Sequence, residues 1–274
     1  MSDAAKCAEL VRAQIGDARV DVGLILGAGL AAIADQVDQA IVIPYDQLPG
    51  FAQPAGEDQA RLVIGLLGSA RVAIFRGRAN YNEAGDINAM RGPLELLSLL
   101  GAKSVVLTSA AGSVRNDINP GTIVTITDHI NLTGLNPLIG ESGRDRFVDM
   151  SNAYDRHLQE RFALACSQLG RKVHEVVYMW LPGPSFETAA EIRAAQALGA
   201  GVVGMAIVPE TVLARRFGLR VLALGMVTNL AAGLRTDTLT SETRMRAGAA
   251  AASSLARVLA KFFEIWMVES RVIR

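Results

Sequence analysis

Short apolar runs recur along the chain and are separated by longer segments with helical spacing. The runs are nearly continuous in apolar residues and rich in valine, isoleucine and leucine. Such runs are typical of strands in a sheet that is covered on both faces. Strands are therefore predicted over Asp21–Leu26, Leu62–Leu67, Val72–Phe75, Ser104–Leu107, Thr122–Thr127, Val173–Met179, Gly201–Met205 and Leu219–Val227.

Helices are predicted between these strands. Gly101 closes a helix that includes Glu95–Leu100, and Gly68-Ser69 joins two strands as a hairpin. Alternating strands and helices indicate an α/β fold with a mainly parallel sheet. No linker, repeat or low-complexity segment divides the chain, so residues 1–274 are interpreted as a single domain. The other predicted helices cover residues 5–14, Ser151–Leu169, the run after Glu187 to Leu198, a segment starting near Pro209, and a last helix from a Thr240 cap to about Phe263.

The composition narrows the functional classes. Half of the 274 residues are hydrophobic, and 27 basic residues balance 27 acidic ones. Zero net charge argues against general nucleic-acid binding, although one arginine in a pocket suffices for a small anion. Two cysteines and three scattered histidines indicate neither a disulfide framework nor a metal site. With no signal-peptide core and no apolar run of the roughly 20 residues that a membrane helix needs, we expect a cytoplasmic protein without a membrane partner.

Turns of small residues follow several of the predicted strands. In a parallel sheet, ligands bind at the carboxyl ends of the strands. Gathered at one edge, these turns would form a pocket with many backbone donors, one arginine, one carboxylate and one carboxamide. A dinucleotide site is disfavoured because Ala32 stands where a third glycine would be needed. The turns are residues 27–29, 77–80, 109–112, 183–187 and 204–207.

The charged residues in these turns indicate a class of reaction. Arg78, beside a glycine at a strand end, suits bidentate phosphate binding, but either it or Arg76 could be an ordinary surface residue. Glu187 could contact a ligand or complement the dipole of its helix. Ser185 has no histidine paired with it, so acyl transfer is not indicated. The chain also lacks two acids of clear glycosidase type, so acid-assisted hydrolysis is not indicated. Attack of bound phosphate on a glycosidic carbon fits better, with catalysis by positioning and by hydrogen bonds to the leaving group.

Seven segments then resemble one family, in that family's order. GPSFETAAEIR followed by GMAIVPE is similar to the trimeric purine nucleoside phosphorylases, a family that includes the methylthioadenosine phosphorylases. The resemblance covers roughly residues 20 to 245. It implies a twisted mixed sheet with a distorted barrel and surrounding helices. The other segments are LILGAGL, FRGRANYNEAG, LTSAAGSV, PGTIVTITDHINLTGLNPLIG, RDRFVDMSNAYD and VTNLAAG.

The resemblance also implies roles for individual residues. Glu187 would accept hydrogen bonds from the N–H groups of a 6-oxopurine, and Asn229 would stabilise N7 as the glycosidic bond breaks. Phe147 would close the site of a neighbouring subunit in a homotrimer. Core packing is the alternative for Phe186 and Met205, and an ordinary turn position is the alternative for Asn229. The purine slot would be lined by Tyr178, Phe186 and Val203, with Met205 beneath the ribose.

The departures from the family lie mostly on the phosphate side. Arg78 and the backbone of Ala110 match the family's phosphate site. Ala28 and Ala206 stand where the family has serine hydroxyls, and Asn80 stands where it has a histidine. The purine half of the site is kept, whereas the phosphate half has lost side-chain donors.

The ribose side departs as well, which leaves three functional hypotheses. Asn82 replaces a tyrosine that contacts ribose, and Ser241 aligns with a histidine near the 5′-hydroxyl. The preferred hypothesis is phosphorolysis of inosine and guanosine to the free base and (deoxy)ribose 1-phosphate, with inorganic phosphate as co-substrate and no cofactor. The alternatives are a non-catalytic nucleoside-binding protein and an enzyme that uses another nucleophile, such as water.

Overall fold

A nine-stranded mixed sheet forms the centre of the molecule. The computed structural model describes residues 2–16, 18–54, 60–234 and 241–272, with side chains in the last range described for 252–268. The strands are β1 (Val22–Ile25), β2 (Asp38–Pro44), β3 (Arg61–Leu67), β4 (Ala70–Arg76), β5 (Ser104–Ser113), β6 (Ile123–Asn131), β7 (His174–Trp180), β8 (Val202–Gly204) and β9 (Arg220–Leu230). The helices are α1 (Asp3–Ile15), α2 (Tyr81–Ala84), α3 (Arg91–Leu99), α4 (Arg156–Gln168), α5 (Ala189–Ala197), α6 (Val208–Arg216) and α7 (Ser241–Val272), and three short 3₁₀ turns lie at Ala31–Gln36, Tyr45–Gln47 and Arg144–Arg146.

Five of the strands close into a barrel. The sheet order is β2-β3-β4-β1-β5-β8-β7-β6-β9, and β5 also pairs with β9. The ring β5-β8-β7-β6-β9 is therefore complete, and β1 to β4 extend from it as an open sheet. Five strand pairings are parallel and four are antiparallel. The predicted fold class, a mixed and mainly parallel sheet with a distorted barrel, is confirmed.

Helices cover both sides of the sheet, as the apolar strands predicted. One core lies beneath α1, α3 and α6 and includes Val11, Leu97 and Leu213. The other lies beneath α4 and α7 and includes Phe162 and Phe262. Within the described residues, no helix combines the length and the apolar character needed to cross a membrane.

Three strands run further than predicted. β5, β6 and β9 continue through Thr108–Ser113, Asp128–Asn131 and Thr228–Leu230, which had been interpreted as loops after the strands. These extensions complete the barrel, because Gly112 pairs with Asn229 across β5 and β9 after a register shift. Small and polar residues are compatible with strands here because pairing on both sides, rather than local propensity, fixes the backbone.

The helix boundaries also differ locally. α4 begins at Arg156 rather than Ser151, because the Asp155 side chain accepts the N–H of Leu158 at 2.9 Å and caps the helix. α5 starts with a capping box in which Thr188 and Glu191 satisfy each other's backbone N–H groups. α7 extends to Val272, and its predicted cap, Thr240, lies outside the described residues.

Candidate active site

Arg78 is buried directly after β4 and forms an ion pair with Glu210 of α6. Its Nε lies 3.0 Å from Glu210 Oε1, and both side chains are 4% exposed. The Nε–H direction does not meet hydrogen-bond geometry, so this contact is electrostatic. Arg78 Nη1 donates to the carbonyl oxygen of Thr108 in β5 at 2.7 Å. Arg76, two residues earlier, instead pairs with the exposed Asp35 at 3.0 Å, so Arg76 is the surface arginine of the two.

Two atoms of this buried pair are left for a ligand. Arg78 Nη2 and Glu210 Oε2 are both inaccessible to solvent and have no hydrogen-bond partner in the described part of the chain. Buried polar atoms are almost always paired in folded proteins, so an unpaired donor and an unpaired acceptor in one ion pair indicate a binding position. Sequence reasoning missed Glu210, since an acid in the first turn of a helix is already explained by the helix dipole.

The other predicted phosphate-binding positions contribute few free donors. Asn80 is the N-cap of α2, and its Nδ2 and backbone N–H both donate to Glu83 Oε1 at 2.9 Å. The backbone N–H of Ala206 donates to the hydroxyl of Tyr178 at 3.2 Å. Ala28 is exposed, and Ala110 lies buried within β5. Their predicted contacts with phosphate stay predictions.

The glycine turn after β1 has a packing role. A Cβ on Gly27 would lie 2.8 Å from the Thr108 carbonyl oxygen, so glycine is needed for β1 and β5 to approach each other. The Gly27 N–H is also used, since it donates to Thr108 Oγ1 at 2.8 Å. Thr108 thus connects Gly27 to Arg78, which the sequence did not reveal.

Asn229 lies inside β9 with its carboxamide held in one orientation. Its Oδ1 accepts from Thr228 Oγ1, and its Nδ2 donates to the carbonyl of Leu230, both at 2.9 Å. The alternative of an ordinary turn asparagine is therefore wrong. An amide nitrogen carries two hydrogens, so the second Nδ2 hydrogen stays available to a ligand. Gly112 leaves the space for this side chain, because a Cβ there would lie 3.2 Å from Nδ2.

Asn82, Gly183 and Met205 meet at one point although they are far apart in sequence. Asn82 Nδ2 lies 3.4 Å from Met205 Sδ. A Cβ on Gly183 would lie only 2.5 Å from the same sulfur, and the φ of Gly183 is +67°. Gly183 thus leaves the space in which Asn82 and Met205, the residues predicted to contact ribose, meet. Any other residue at position 183 would displace the Met205 side chain.

Of the residues predicted to contact the purine, some are exposed and others are buried in the core. Phe186 is 36% exposed, so the alternative that it packs in the core is wrong. Val203 is almost fully buried, and so is Tyr178, whose ring lies against Gly204. Burial raises the pKa of the Tyr178 hydroxyl and keeps it a neutral acceptor for Ala206. Glu187 is half-buried directly before the Thr188 cap of α5, and its contact with a base stays a prediction.

Two further predicted residues lie elsewhere. Phe147 is 76% exposed on the loop between β6 and α4, with the Arg146 guanidinium 4.9 Å from its ring centroid. Glu141 fixes this loop to the body of the protein by pairing with Arg91 and Arg216. Ser241 is the first residue of α7, and its side chain lies outside the described residues.

A small cleft lies between residues that were predicted to bind phosphate and ribose. Glu210 borders it, and Arg78 lies directly behind that carboxylate. The cleft measures about 10 Å³. The fold therefore places three predicted residues from two separate segments, Asn80, Met205 and Ala206, around one volume. Tyr81 and Glu210, which were not predicted, also line it.

Comparisons with known proteins identify the family. Residues 21–264 match the model of the phosphorylase superfamily. The chain is 40% identical over 225 residues to purine nucleoside phosphorylase 1 of Geobacillus stearothermophilus, covering 81% of this chain and 82% of the relative. The chain belongs to the purine nucleoside phosphorylase family. A second member of this family, the purine nucleoside phosphorylase of Mycobacterium tuberculosis, is 39% identical over 94% of both chains.

Solved structures from the purine nucleoside phosphorylase family share the whole fold. The purine nucleoside phosphorylase of Schistosoma mansoni in complex with adenosine has a TM-score of 0.89 and 32% sequence identity, with 96% of each chain covered. The same enzyme in complex with inosine gives a TM-score of 0.88 and 31% identity, covering 96% of this chain and 95% of that one. The Schistosoma mansoni protein has thus been seen with both a 6-aminopurine and a 6-oxopurine nucleoside.

Proposed function

We propose that this chain cleaves 6-oxopurine nucleosides by phosphorolysis and requires a high concentration of phosphate. The substrates would be inosine and guanosine, and the products the free base and (deoxy)ribose 1-phosphate, without a cofactor. The observation that carries the proposal is the Asn229 carboxamide, held by Thr228 and Leu230 with one N–H unused. A donor fixed before the reaction stabilises charge that develops on the departing purine without a reorganisation cost.

The chemical step uses residues on both sides of the glycosidic bond. A phosphate oxygen attacks C1′, the C1′–N9 bond breaks, and its electron pair moves into the purine. Asn229 donates to the purine, and Glu187 selects a base that carries an N1–H. Arg78 Nη2 is the remaining charged donor for phosphate.

The high phosphate requirement follows from the surroundings of Arg78. Its positive charge is offset by Glu210 at 3.0 Å. Asn80 donates to Glu83 instead of a ligand, and Ala28 and Ala206 offer no hydroxyl. The same observations support the second candidate, a nucleoside-binding protein without phosphorolysis.

Product analysis separates the two candidates. Inosine is incubated with the protein over a range of phosphate concentrations, and hypoxanthine and ribose 1-phosphate are quantified by chromatography. We expect both products in equal amounts, with a rate that rises with phosphate into the upper millimolar range. Inosine binding by calorimetry without any product would favour the binding protein instead.

We also propose that the chain assembles as a homotrimer in which Phe147 contacts a neighbour's site. The exposure of this ring, on a loop fixed by Glu141, supports the proposal. Light scattering should give three times the 29.0 kDa chain mass. A mass of one chain that does not change with concentration would exclude it.

A further inference from the structure

The loop between β6 and α4 carries Phe147 and receives little support from the core. Residues 139–152 are all exposed or half-buried, whereas Leu138 before them and Ala153 after them are buried. A short 3₁₀ turn, Arg144–Arg146, lies within this range. A segment with so few buried apolar contacts opens at low cost unless polar contacts hold it. The position of the loop therefore depends on its hydrogen bonds and ion pairs.

Glu141 anchors this loop with both of its carboxylate oxygens. Oε1 pairs with Arg91 Nη2, and Oε2 accepts from Arg216 Nε at 3.1 Å. The same Arg91 Nη2 also donates to the carbonyl oxygen of Pro137 at 3.0 Å. All three charged side chains are partly buried. Solvent screens such pairs less than fully exposed ones, so this anchor is stronger than an ordinary surface ion pair.

The two arginines belong to elements that also border the cleft. Arg91 is the first residue of α3 and directly follows Met90, which lines the cleft. The Nε of Arg91 donates to Asn88 Oδ1 at 3.1 Å. Arg216 is the last residue of α6, and the first turn of that helix brings Glu210 to the cleft. The anchor therefore fixes the loop relative to the elements that build the candidate site of the same subunit.

A single guanidinium connects Glu141 to the Phe147 ring. Arg146 Nη1 donates to the backbone carbonyl oxygen of Glu141 at 3.0 Å. The same guanidinium lies 4.9 Å from the centroid of the Phe147 ring, a distance at which cation–π attraction operates. Phe147 itself is 76% exposed, so little of the subunit's own core supports its ring. The position of the ring is therefore transmitted from the Glu141 anchor through Arg146.

We propose that Glu141 is a positioning residue for nucleoside binding, because it holds the Phe147 loop in the conformation that closes the site of a neighbouring subunit. The inference rests on the proposed homotrimer and nucleoside site, and adds the residue that determines how well that site is closed. A loop that occupies its binding conformation for only a fraction of the time lowers the apparent affinity by that fraction. Without the anchor, nucleoside affinity falls, whereas bond cleavage in the bound complex continues.

The Glu141→Gln variant tests the anchor through affinity as well as activity. The amide keeps the shape of the side chain but removes the charge that pairs with both arginines. We expect the Kd for inosine, measured by calorimetry, and the KM for inosine to rise about tenfold, as for a loop in place about one-tenth of the time. The kcat should stay close to the wild-type value, since only binding is lost. Partial unfolding would instead lower the apparent kcat and leave KM unchanged.

Arg146→Met tests the connection between the anchor and the ring. It removes the guanidinium that contacts both the Glu141 carbonyl and Phe147, and leaves the Glu141 carboxylate paired. The Kd for inosine should rise in this variant as well. Because Arg146 is exposed, the melting temperature should stay at the wild-type value. A raised Kd without lost stability separates positioning from a purely structural role, and an unchanged Kd would refute the connection.

Asp117→Asn is the matched control for the loss of a paired carboxylate. Asp117 lies between β5 and β6 and accepts from Nε and Nη2 of Arg115, at 2.9 Å and 2.6 Å. This pair also joins one carboxylate to two guanidinium nitrogens, but it lies outside the Phe147 loop. We expect the wild-type Kd and KM for inosine. An equal rise in Kd in this control would show that the effect of Glu141→Gln is not specific to the loop.

Mixed assemblies show whether Glu141 acts on a neighbour or on its own cleft. Glu141→Gln is co-expressed with Asn229→Ala, which lacks the proposed donor to the purine but has an intact Phe147 loop. Sites of Glu141→Gln chains that face an intact loop should regain the wild-type KM for inosine. A raised KM in every mixed assembly, an unchanged Kd in Glu141→Gln alone, or a wild-type protein that stays a single chain would overturn the inference. A wild type that forms no products from inosine would overturn the proposed function, whereas the calorimetric comparison would still decide the role of Glu141.

Discussion

The buried ion pair between Arg78 and Glu210 has a large expected effect on folding that can be measured without any substrate. Both side chains are 4% exposed. Replacing Arg78 by methionine removes one charge, leaves the Glu210 carboxylate buried, and removes the donor to the Thr108 carbonyl. Breaking a buried pair in this way costs about 3–5 kcal/mol. We expect Arg78→Met to lower the free energy of unfolding by about that amount.

Two further variants make the interpretation specific. In Arg78→Met/Glu210→Leu both charges are replaced by apolar groups, which is often neutral or stabilising, so most of the lost stability should return. Arg76→Met removes an arginine whose partner, Asp35, is 58% exposed. Exposed pairs contribute about 0–1 kcal/mol, and this control should change stability by no more than that.

Urea unfolding at pH 7 in phosphate-free buffer gives these free energies at one fixed protein concentration. Phosphate is omitted because any ligand of the native state adds its own stabilisation. Glu210→Leu alone completes the double-mutant cycle, and the double variant should lose far less stability than the sum of the two single variants, because each single variant leaves one buried charge unpaired. A loss of less than 1 kcal/mol in Arg78→Met, or a double variant as unstable as the sum of the singles, would show that the pair is not buried as described.

Three further outcomes are expected. In Ala28→Ser/Asn80→His/Ala206→Ser the KM for phosphate should fall about tenfold to a hundredfold, because a hydrogen bond to a charged group contributes about 1.5–3 kcal/mol; an unchanged KM in a folded variant would place the defect elsewhere. Because Glu187 accepts from N1–H, calorimetry should show inosine binding well above adenosine, and equal affinities would contradict that role. Burial raises the pKa of Glu141, but hydrogen bonds and charge from Arg91 and Arg216 together outweigh burial and hold the pKa below its usual range. The stabilising contribution of Glu141 is therefore present above the unfolded pKa of about 4.3 and is lost as pH falls through the lower folded pKa. The melting temperature should therefore fall less between pH 5 and pH 3 in Glu141→Gln than in wild type, and identical slopes would refute this.

The sequence predicted the sheet best where strands are buried on both faces. β1, β3 and β4 lie within one or two residues of their predicted bounds, because their apolar runs are continuous. β2 was not predicted, since Ile43 is the only fully buried residue among its seven. The continuation of β5 through Gly112 depends on pairing with β9, which lies more than a hundred residues away.

In the candidate site, too, features of the local sequence could be predicted, whereas contacts between distant segments could not. The motifs that name the family were visible in the sequence, and they place Asn82 and Met205 at one point in the structure. The pairing of Glu210 with Arg78 could not be predicted, because local pattern explains each residue alone. The capping role of Asn80 had a visible signal that was missed, since asparagine followed three residues later by Glu83 fits a capping pattern.

Closure of the barrel also determines where this protein could associate wrongly with other copies. A strand with unpaired backbone groups is a template for aggregation, and a closed ring has none. Among the described strands, β2 is the one at the free end of the sheet. It carries the features that discourage edge pairing: exposed Asp38 at its start, a positive φ of +53° at Gln39 with an irregular register, and Pro44 at its end. Resistance to edge-to-edge aggregation is therefore concentrated in the seven residues of one edge strand.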